Sequence, residues 1–198
     1  MTDSPTLAPL APEDWPGTLG DIFAEMKGRP LNVHSLMAHN ATLLKAWWNF
    51  RNYSVGGGGL GKRKGELVIL RTAVRLKAWY EWAAHVERGL ACGLALEEIQ
   101  RINCNGTPEG FADDDTLIFR AVDSLFDDRC LSPALRAALS PYYSPSQIQD
   151  IMAIHGMYVI LGTMIKTWGL APEDWLSAAL PDEVTEESFY VGTAPNSP

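Results

Sequence analysis

The segment from Glu66 to Arg88, ELVILRTAVRLKAWYEWAAHVER, contains neither proline nor glycine, which commits this part of the chain to helix. Leu67, Leu70, Ala73 and Val74 recur at intervals of three and four and so form one apolar stripe. The spacing predicts one helix over Glu66 to Lys77 and a second from Ala78 to Ala91. The second closes at Cys92-Gly93, where glycine takes a left-handed cap. Within it, Glu81 and His85 stand one turn apart on the same face, among Trp79, Trp82, Ala83, Ala84 and Val86. A carboxylate and an imidazole so placed share a proton or a ligand. Apolar surroundings displace the pKa values of such groups, which is how catalytic acids and bases arise.

The rest of the chain reads the same way. Helical spacing runs from Val33 to Tyr53 through Leu36, Met37, Leu43, Leu44, Trp47 and Trp48. A short helix is expected over Leu94 to Asn103, an amphipathic one over Asp113 to Asp127, and another from Ser132-Pro133 to Leu139. Ser144-Pro145-Ser146-Gln147 opens a long helix that is apolar all round, Ile148 to Trp168, closed by Gly169. LAPEDW occurs twice, at Leu10 to Trp15 and Leu170 to Trp175, and reads as a repeated helix-start signal rather than a duplication. No strand pattern is found, so the expected fold is all-α. Its expected parts are an N-terminal arm and first helix over 1–30, a helical domain over 31–170, and a C-terminal helix and acidic tail over 171–198.

Composition bounds the function. A chain of 198 residues with 46% hydrophobic content has enough apolar material for one sizeable core. A net charge of −8 argues against nucleic acid as a partner, because phosphate binding needs clustered cations. Cys92, Cys104 and Cys130 have spacings that fit neither a zinc ribbon nor a redox pair, and read as reduced structural thiols. No signal-peptide pattern and no uninterrupted apolar run of membrane-spanning length are present, so the expectation is a cytoplasmic protein with no membrane partner.

Two features carry no site. His34 and His39 are five apart, about 140° on a helix, and cannot chelate one metal; both read as partly buried or surface histidines. Gly56 to Gly61, GGGGLG, followed by Lys62-Arg63-Lys64, imitates a phosphate-binding loop, but Arg63 stands where that motif needs Ser or Thr and no strand precedes it. It reads as a flexible connector, with a basic trio able to attract an anionic ligand.

Glu66-Leu-Val-Ile-Leu-Arg71, Tyr80-Glu81-Trp82-Ala83-Ala84-His85, Gly93-Leu94 and Glu97-Glu98-Ile99 together resemble the carboxymuconolactone decarboxylase family of the alkyl hydroperoxidase D-like superfamily. The resemblance implies an alkyl hydroperoxidase D-like helical bundle and a homo-oligomer (dimer, trimer or hexamer). It also implies a site between helices with no bound cofactor; no metal is expected, because Glu81 and His85 alone supply too few donors and the sequence places no third. In the peroxidase branch a CxxC pair precedes the histidine; here Ala78 and Glu81 occupy the two cysteine positions, Glu66 the glutamate and His85 the histidine. Without the thiol pair a thiol peroxidase cycle is excluded, as in the decarboxylase branch.

The expected catalytic residues are therefore His85, Glu81 and Glu66. His85 transfers the proton, and one carboxyl stays protonated because two carboxylates in an apolar cleft repel. Tyr80 is a donor candidate and Trp82 a wall for a cyclic substrate. Arg71 and Arg63 are candidate carboxylate binders, with a plain salt bridge as the competing reading of Arg71. His155, on one face with Tyr158, lines the pocket or is a core histidine. The expected function is a cofactor-independent, decarboxylase-like lyase acting on a small cyclic carboxylated or carbonyl compound. An isomerase, dehydratase or other lyase would use the same groups, and a non-catalytic oligomeric small-molecule binder would use them only to hold a ligand. Each enzymatic reading requires a hollow beside His85 large enough for a ring.

Overall fold

The computed structural model describes residues 7–193. Among these every regular element is helical. The N-terminal part holds a 3-10 turn at Pro12–Asp14, α1 (Gly20–Glu25) and α2 (Asn32–Met37), which leads through a 3-10 turn into α3 (Ala41–Val55). The centre is α4 (Lys62–Leu76), α5 (Trp79–Ala91), α6 (Leu96–Ile102), α7 (Asp113–Asp127), α8 (Pro133–Leu139) and α9 (Pro145–Trp168). Two short helices follow, α10 (Asp174–Ala179) and α11 (Glu186–Gly192).

Helix α4 is the hub: every residue from Gly65 to Val74 is buried, and α5, α7 and α9 pack around it. It begins at Lys62, four residues before the predicted Glu66, because Gly61 (φ +80°) supplies a turn that only glycine adopts readily. Helix α9 starts on a reciprocal cap, with Ser144 Oγ accepting from the Gln147 N–H and Gln147 Oε1 accepting from the Ser144 N–H, and ends at Gly169 in the left-handed conformation. By length and composition α9 is able to cross a membrane, contrary to the expectation that no segment reaches that mark. The polar residues that interrupt its apolar run are too few to lower its average. Here it packs against α3, α4, α5 and α7 as the core helix, which is why its apolar residues surround it.

The glycine connector is a fixed turn and not a flexible linker. Asp150 of α9 accepts from the Gly59 N–H (2.8 Å) and the Tyr53 hydroxyl (2.5 Å). Gly65 lies against the same loop: a Cβ there would stand 2.7 Å from the Gly57 Cα, which is backbone and cannot yield cheaply. Gly65→Ala is therefore expected to cost about 1–3 kcal/mol in urea unfolding. Gly17→Ala, whose Cβ meets nothing within 4 Å, serves as the control. The basic trio is not free for an anion as a group, since Arg63 bonds Asp115 and Glu98 and Lys64 bonds Asp114.

The two LAPEDW copies differ in backbone. The first makes the 3-10 turn, whereas in the second Glu173 precedes α10 and binds the Asn32 N–H and the Tyr80 hydroxyl. The tail returns to the body: Phe189 of α11 is fully buried against Trp79 and Trp82, with ring centroids 5.8 and 5.4 Å away. Residues 194–198 of the acidic tail, and 1–6 of the N-terminal arm, lie outside the described part.

Candidate functional site

The α4–α5 hairpin builds the central pair. Lys77 takes a left-handed conformation (φ +52°) and Ala78 N–H returns to the Ala73 carbonyl, so the chain reverses within two residues. The reversal sets Glu66, early in α4, against His85, in the middle of α5. His85 Nδ1 lies 2.6 Å from Glu66 Oε2, and both residues are 4% exposed. With the carboxylate accepting, the proton sits on Nδ1 and Nε2 keeps its lone pair. Burial pushes the His85 pKa down; Glu66 opposes that shift, and the Arg88 and Arg51 charges add to it. The imidazole is thus neutral at neutral pH, a base rather than a stored acid. The Tyr158 ring meets it edge-on at 4.9 Å.

Glu81, one turn earlier on α5, is 1% exposed and neither carboxyl oxygen has a partner. It fits only because position 162 is glycine, where a Cβ would stand 2.5 Å from Glu81 Oε2. Burial raises its pKa well above the ordinary carboxyl value, so Glu81 holds its proton. One carboxyl of the two does stay protonated, but desolvation is the cause and not repulsion by Glu66.

The linkage follows from the direction of the shift. A carboxyl whose folded pKa is raised contributes stability that is complete below its unfolded value, near 4.5, and lost as pH climbs through the folded value. Glu81→Gln, which cannot ionise, should gain on the wild type in urea midpoint between pH 5 and pH 8. Parallel midpoints over that range would show Glu81 to be solvated.

Three adjoining voids surround the pair. Glu81 and His85 line the innermost chamber with Ala84, Met157, Tyr158 and Leu161, and its volume is about 30 Å³. That is roughly the space of one liquid water molecule, not the ring-sized hollow expected, because α9 fills the rest with Met157, Tyr158 and Leu161. Glu66 opens instead on a cleft of about 250 Å³ with Lys62, Ala91 and Cys92. A third void of about 350 Å³ lies over Glu25, Met26, Trp48 and Asn52. Arg88 lines all three, and Arg51 and His34 line the chamber and the third void.

Arg51 and Arg88 were missed from sequence, and His34 was read there only as a histidine outside any site. Arg88 falls three after His85 on the same face and was findable by spacing. Arg51 and His34 come from α3 and α2, and no local signal joins them to α5. His34 is fully in the interior at 3% exposure, its pKa pushed down to about 3 by burial and by the Arg51 and Arg88 charges. His39 is exposed, with Nε2 2.8 Å from the Ala8 carbonyl.

The other sequence-derived residues divide. Tyr80 lines the chamber, but its hydroxyl donates to Glu173 Oε1 (2.9 Å) and is not a free donor. Trp82 faces away, packed on Phe189. Arg71 is 1% exposed and held in a fork by Asp123 (2.8 and 3.0 Å), with Nη1 on the Cys104 carbonyl, so the salt-bridge reading holds for it. His155 sits 3.3 Å from Thr72 Oγ1 and against the Phe126 ring, a core histidine whose pKa burial lowers to about 4. None of Trp82, Arg71 and His155 lines the chamber. The cysteines are unpaired; Cys92 lies in the Glu66 cleft, and burial pushes its thiol up.

This helical architecture is that of the alkylhydroperoxidase D-like proteins. An uncharacterized peroxidase-related protein from Silicibacter sp. TM1040 superposes with a TM-score of 0.74 at 17% identity, over 89% of this chain and 97% of the other. An alkylhydroperoxidase AhpD core, an uncharacterized peroxidase-related protein from Ralstonia eutropha JMP134, gives 0.74 at 17% identity over 96% and 98%. The debrominase Bmp8, as a cysteine-to-alanine variant in complex with 2,3,4-tribromopyrrole, gives 0.74 at 15% over 90% and 97%. Residues 41–111, which hold Glu66, Glu81 and His85, match the model of the Carboxymuconolactone decarboxylase family. No curated protein matches the sequence.

Proposed function

We propose that the protein is a cofactor-independent acid–base enzyme, a decarboxylase-like lyase acting on a small cyclic carboxylated or carbonyl compound. One observation carries the reading: a buried, partnerless carboxylic acid and a carboxylate-anchored neutral imidazole line the same chamber. Glu66 fixes the His85 tautomer so that Nε2 serves as base, and Glu81 serves as acid. In decarboxylation the bond to the departing carbon dioxide breaks and its electron pair moves into a conjugated substrate carbonyl. The Glu81 carboxyl hydrogen-bonds that developing charge and delivers the proton to carbon; after carbon dioxide leaves, His85 Nε2 takes a proton from solvent and passes it back to Glu81. With about 30 Å³ at the chamber, only the reacting edge of the substrate enters, and the ring stays in an adjoining void.

The same acid and base also suit an isomerisation in which His85 removes one proton and Glu81 supplies another, so fold and site leave the reaction class to assay. Thiol peroxidation is disfavoured by Ala78 and Glu81 at the thiol positions and by the raised Cys92 thiol. The family-model match over residues 41–111 and a debrominase among the structural neighbours are compatible with catalysis on small molecules. The test is turnover of a panel of five- and six-membered ring acids and lactones, followed by carbon dioxide release and by proton exchange at the ring carbons, comparing wild type with His85 variants.

A further inference from the structure

We infer that Arg51 and Arg88, together with His34, form an anion-recognising subsite that takes the carboxylate of a ring-sized organic acid. The inference rests on the assignment of Glu66, His85 and Glu81 as the chemical centre, and it names the handle by which the substrate is held there.

The first observation is an imbalance of partners. Arg63, Lys64, Arg71 and Arg75 each reach a carboxylate. Arg88, half-buried on α5, makes no hydrogen bond or ion pair among the described residues. Arg51, half-buried on α3, has among the described residues only the Asn52 amide oxygen (3.0 Å) and the face of the Trp48 ring (5.0 Å). Glu25, whose charge acts on it, accepts from Trp48 Nε1 at 2.6 Å and Asn52 Nδ2 at 3.3 Å and forms no ion pair with it. Burial and the Arg88 charge depress the Arg51 guanidinium and the Glu25 charge offsets them only in part, so two like charges are held close with no ion pair to either. Such a pair is unfavourable unless an anion joins it.

The second observation is independent. His34 is 3% exposed and its Nδ1 has no partner, although buried ring nitrogens normally find one. That nitrogen is closed to solvent, so the ring must turn toward the void for a proton on Nδ1 to reach the same anion. His34, Arg51 and Arg88 line both the reactive chamber and the void of about 350 Å³, so an anion there places the rest of its molecule against His85.

The walls select the class. Leu31, Met26 and Trp48 beside the guanidiniums offer an apolar and aromatic surface suited to a ring, while planar forks suit a planar carboxylate. Inorganic phosphate would gain nothing from that surface. The anchored carboxylate is also not the one that leaves: two guanidiniums stabilise the charge on its oxygens, the state before bond cleavage, and holding that state would slow its loss. The substrate therefore keeps this group through the reaction.

The experiment is calorimetric titration of the full chain, at low salt, with benzoate, its neutral analogue benzamide, and inorganic phosphate. Benzoate should bind at least about tenfold more tightly than either, and Arg88→Met and Arg51→Met should each weaken it by about tenfold to a hundredfold. Arg88→Lys, which keeps charge but loses the fork, should fall between. Arg120→Met, at an exposed position on α7, should leave binding unchanged. Circular dichroism and melting of each variant separate lost binding from lost fold, and Arg88→Lys keeps the test open if Arg88→Met is unfolded. Equal binding of benzoate and benzamide, or wild-type affinity in folded Arg88 and Arg51 variants, would overturn the subsite; phosphate binding as tight as benzoate would overturn the ring acid as its ligand. Measurement by binding keeps the two readings apart. If His85→Gln abolishes turnover while the arginine variants bind benzoate normally, the acid–base centre stands and the subsite falls. The reverse pattern removes the centre and keeps the subsite.

Discussion

Replacing His85 by alanine is expected to lower turnover of any substrate found in the ring-acid panel by about 10²–10⁴-fold, the usual contribution of a positioned general base. The ring is the one neutral imidazole in the chamber whose second nitrogen is tied to a carboxylate, so no neighbour takes over its role. Alanine also leaves Glu66, 4% exposed, without its partner, and the variant will lose stability for that reason alone. His85→Gln is the companion: its amide donates to Glu66 but cannot exchange a proton near neutral pH. Both variants should lose turnover while binding benzoate within a few-fold of wild type. Turnover within tenfold of wild type in folded His85→Gln would remove His85 from the chemistry, and an equal loss of binding and turnover would mark a ligand-binding protein without catalysis.

Replacing Arg71 by methionine should cost about 3–5 kcal/mol of stability, the range for removing one partner of a buried ion pair. Arg71 is 1% exposed and donates to both Asp123 oxygens and to the Cys104 carbonyl, so the change leaves part-buried acceptors unmet beside α4. Arg75 also holds Asp123 Oδ1 at 2.9 Å, which keeps the loss toward the lower end. For a chain of this size the melting temperature should fall by roughly 10 °C. Benzoate affinity, measured below the transition, should not change. A stable Arg71→Met protein with weakened benzoate binding would return Arg71 to the substrate.

What could be read from the sequence was what the chain settles locally. The Glu81–His85 spacing, the Ser144 and Gly169 ends of α9, the break at Lys77-Ala78 and the all-α class follow from 3.6 residues per turn, from capping atoms within a few residues and from glycine conformation. Resemblance to a known family then added Glu66 to the pair. The glycine connector was misjudged because order there comes from a contact with a distant element, Gly59 on Asp150, and the docking of the tail through Phe189 on Trp82 likewise has no local signal.

Which acid touches His85, which arginine is consumed and which is left open, and how much room remains were decided by tertiary structure alone. Arg71 and Arg88 look alike in a string of letters. One faces Asp123, 52 residues away, and the other faces a void shared with Arg51 and His34. The reason is physical: a side chain's hydrogen bonds and desolvation depend on what other helices bring to within a few ångströms, and periodicity along one helix fixes only which way the side chain points.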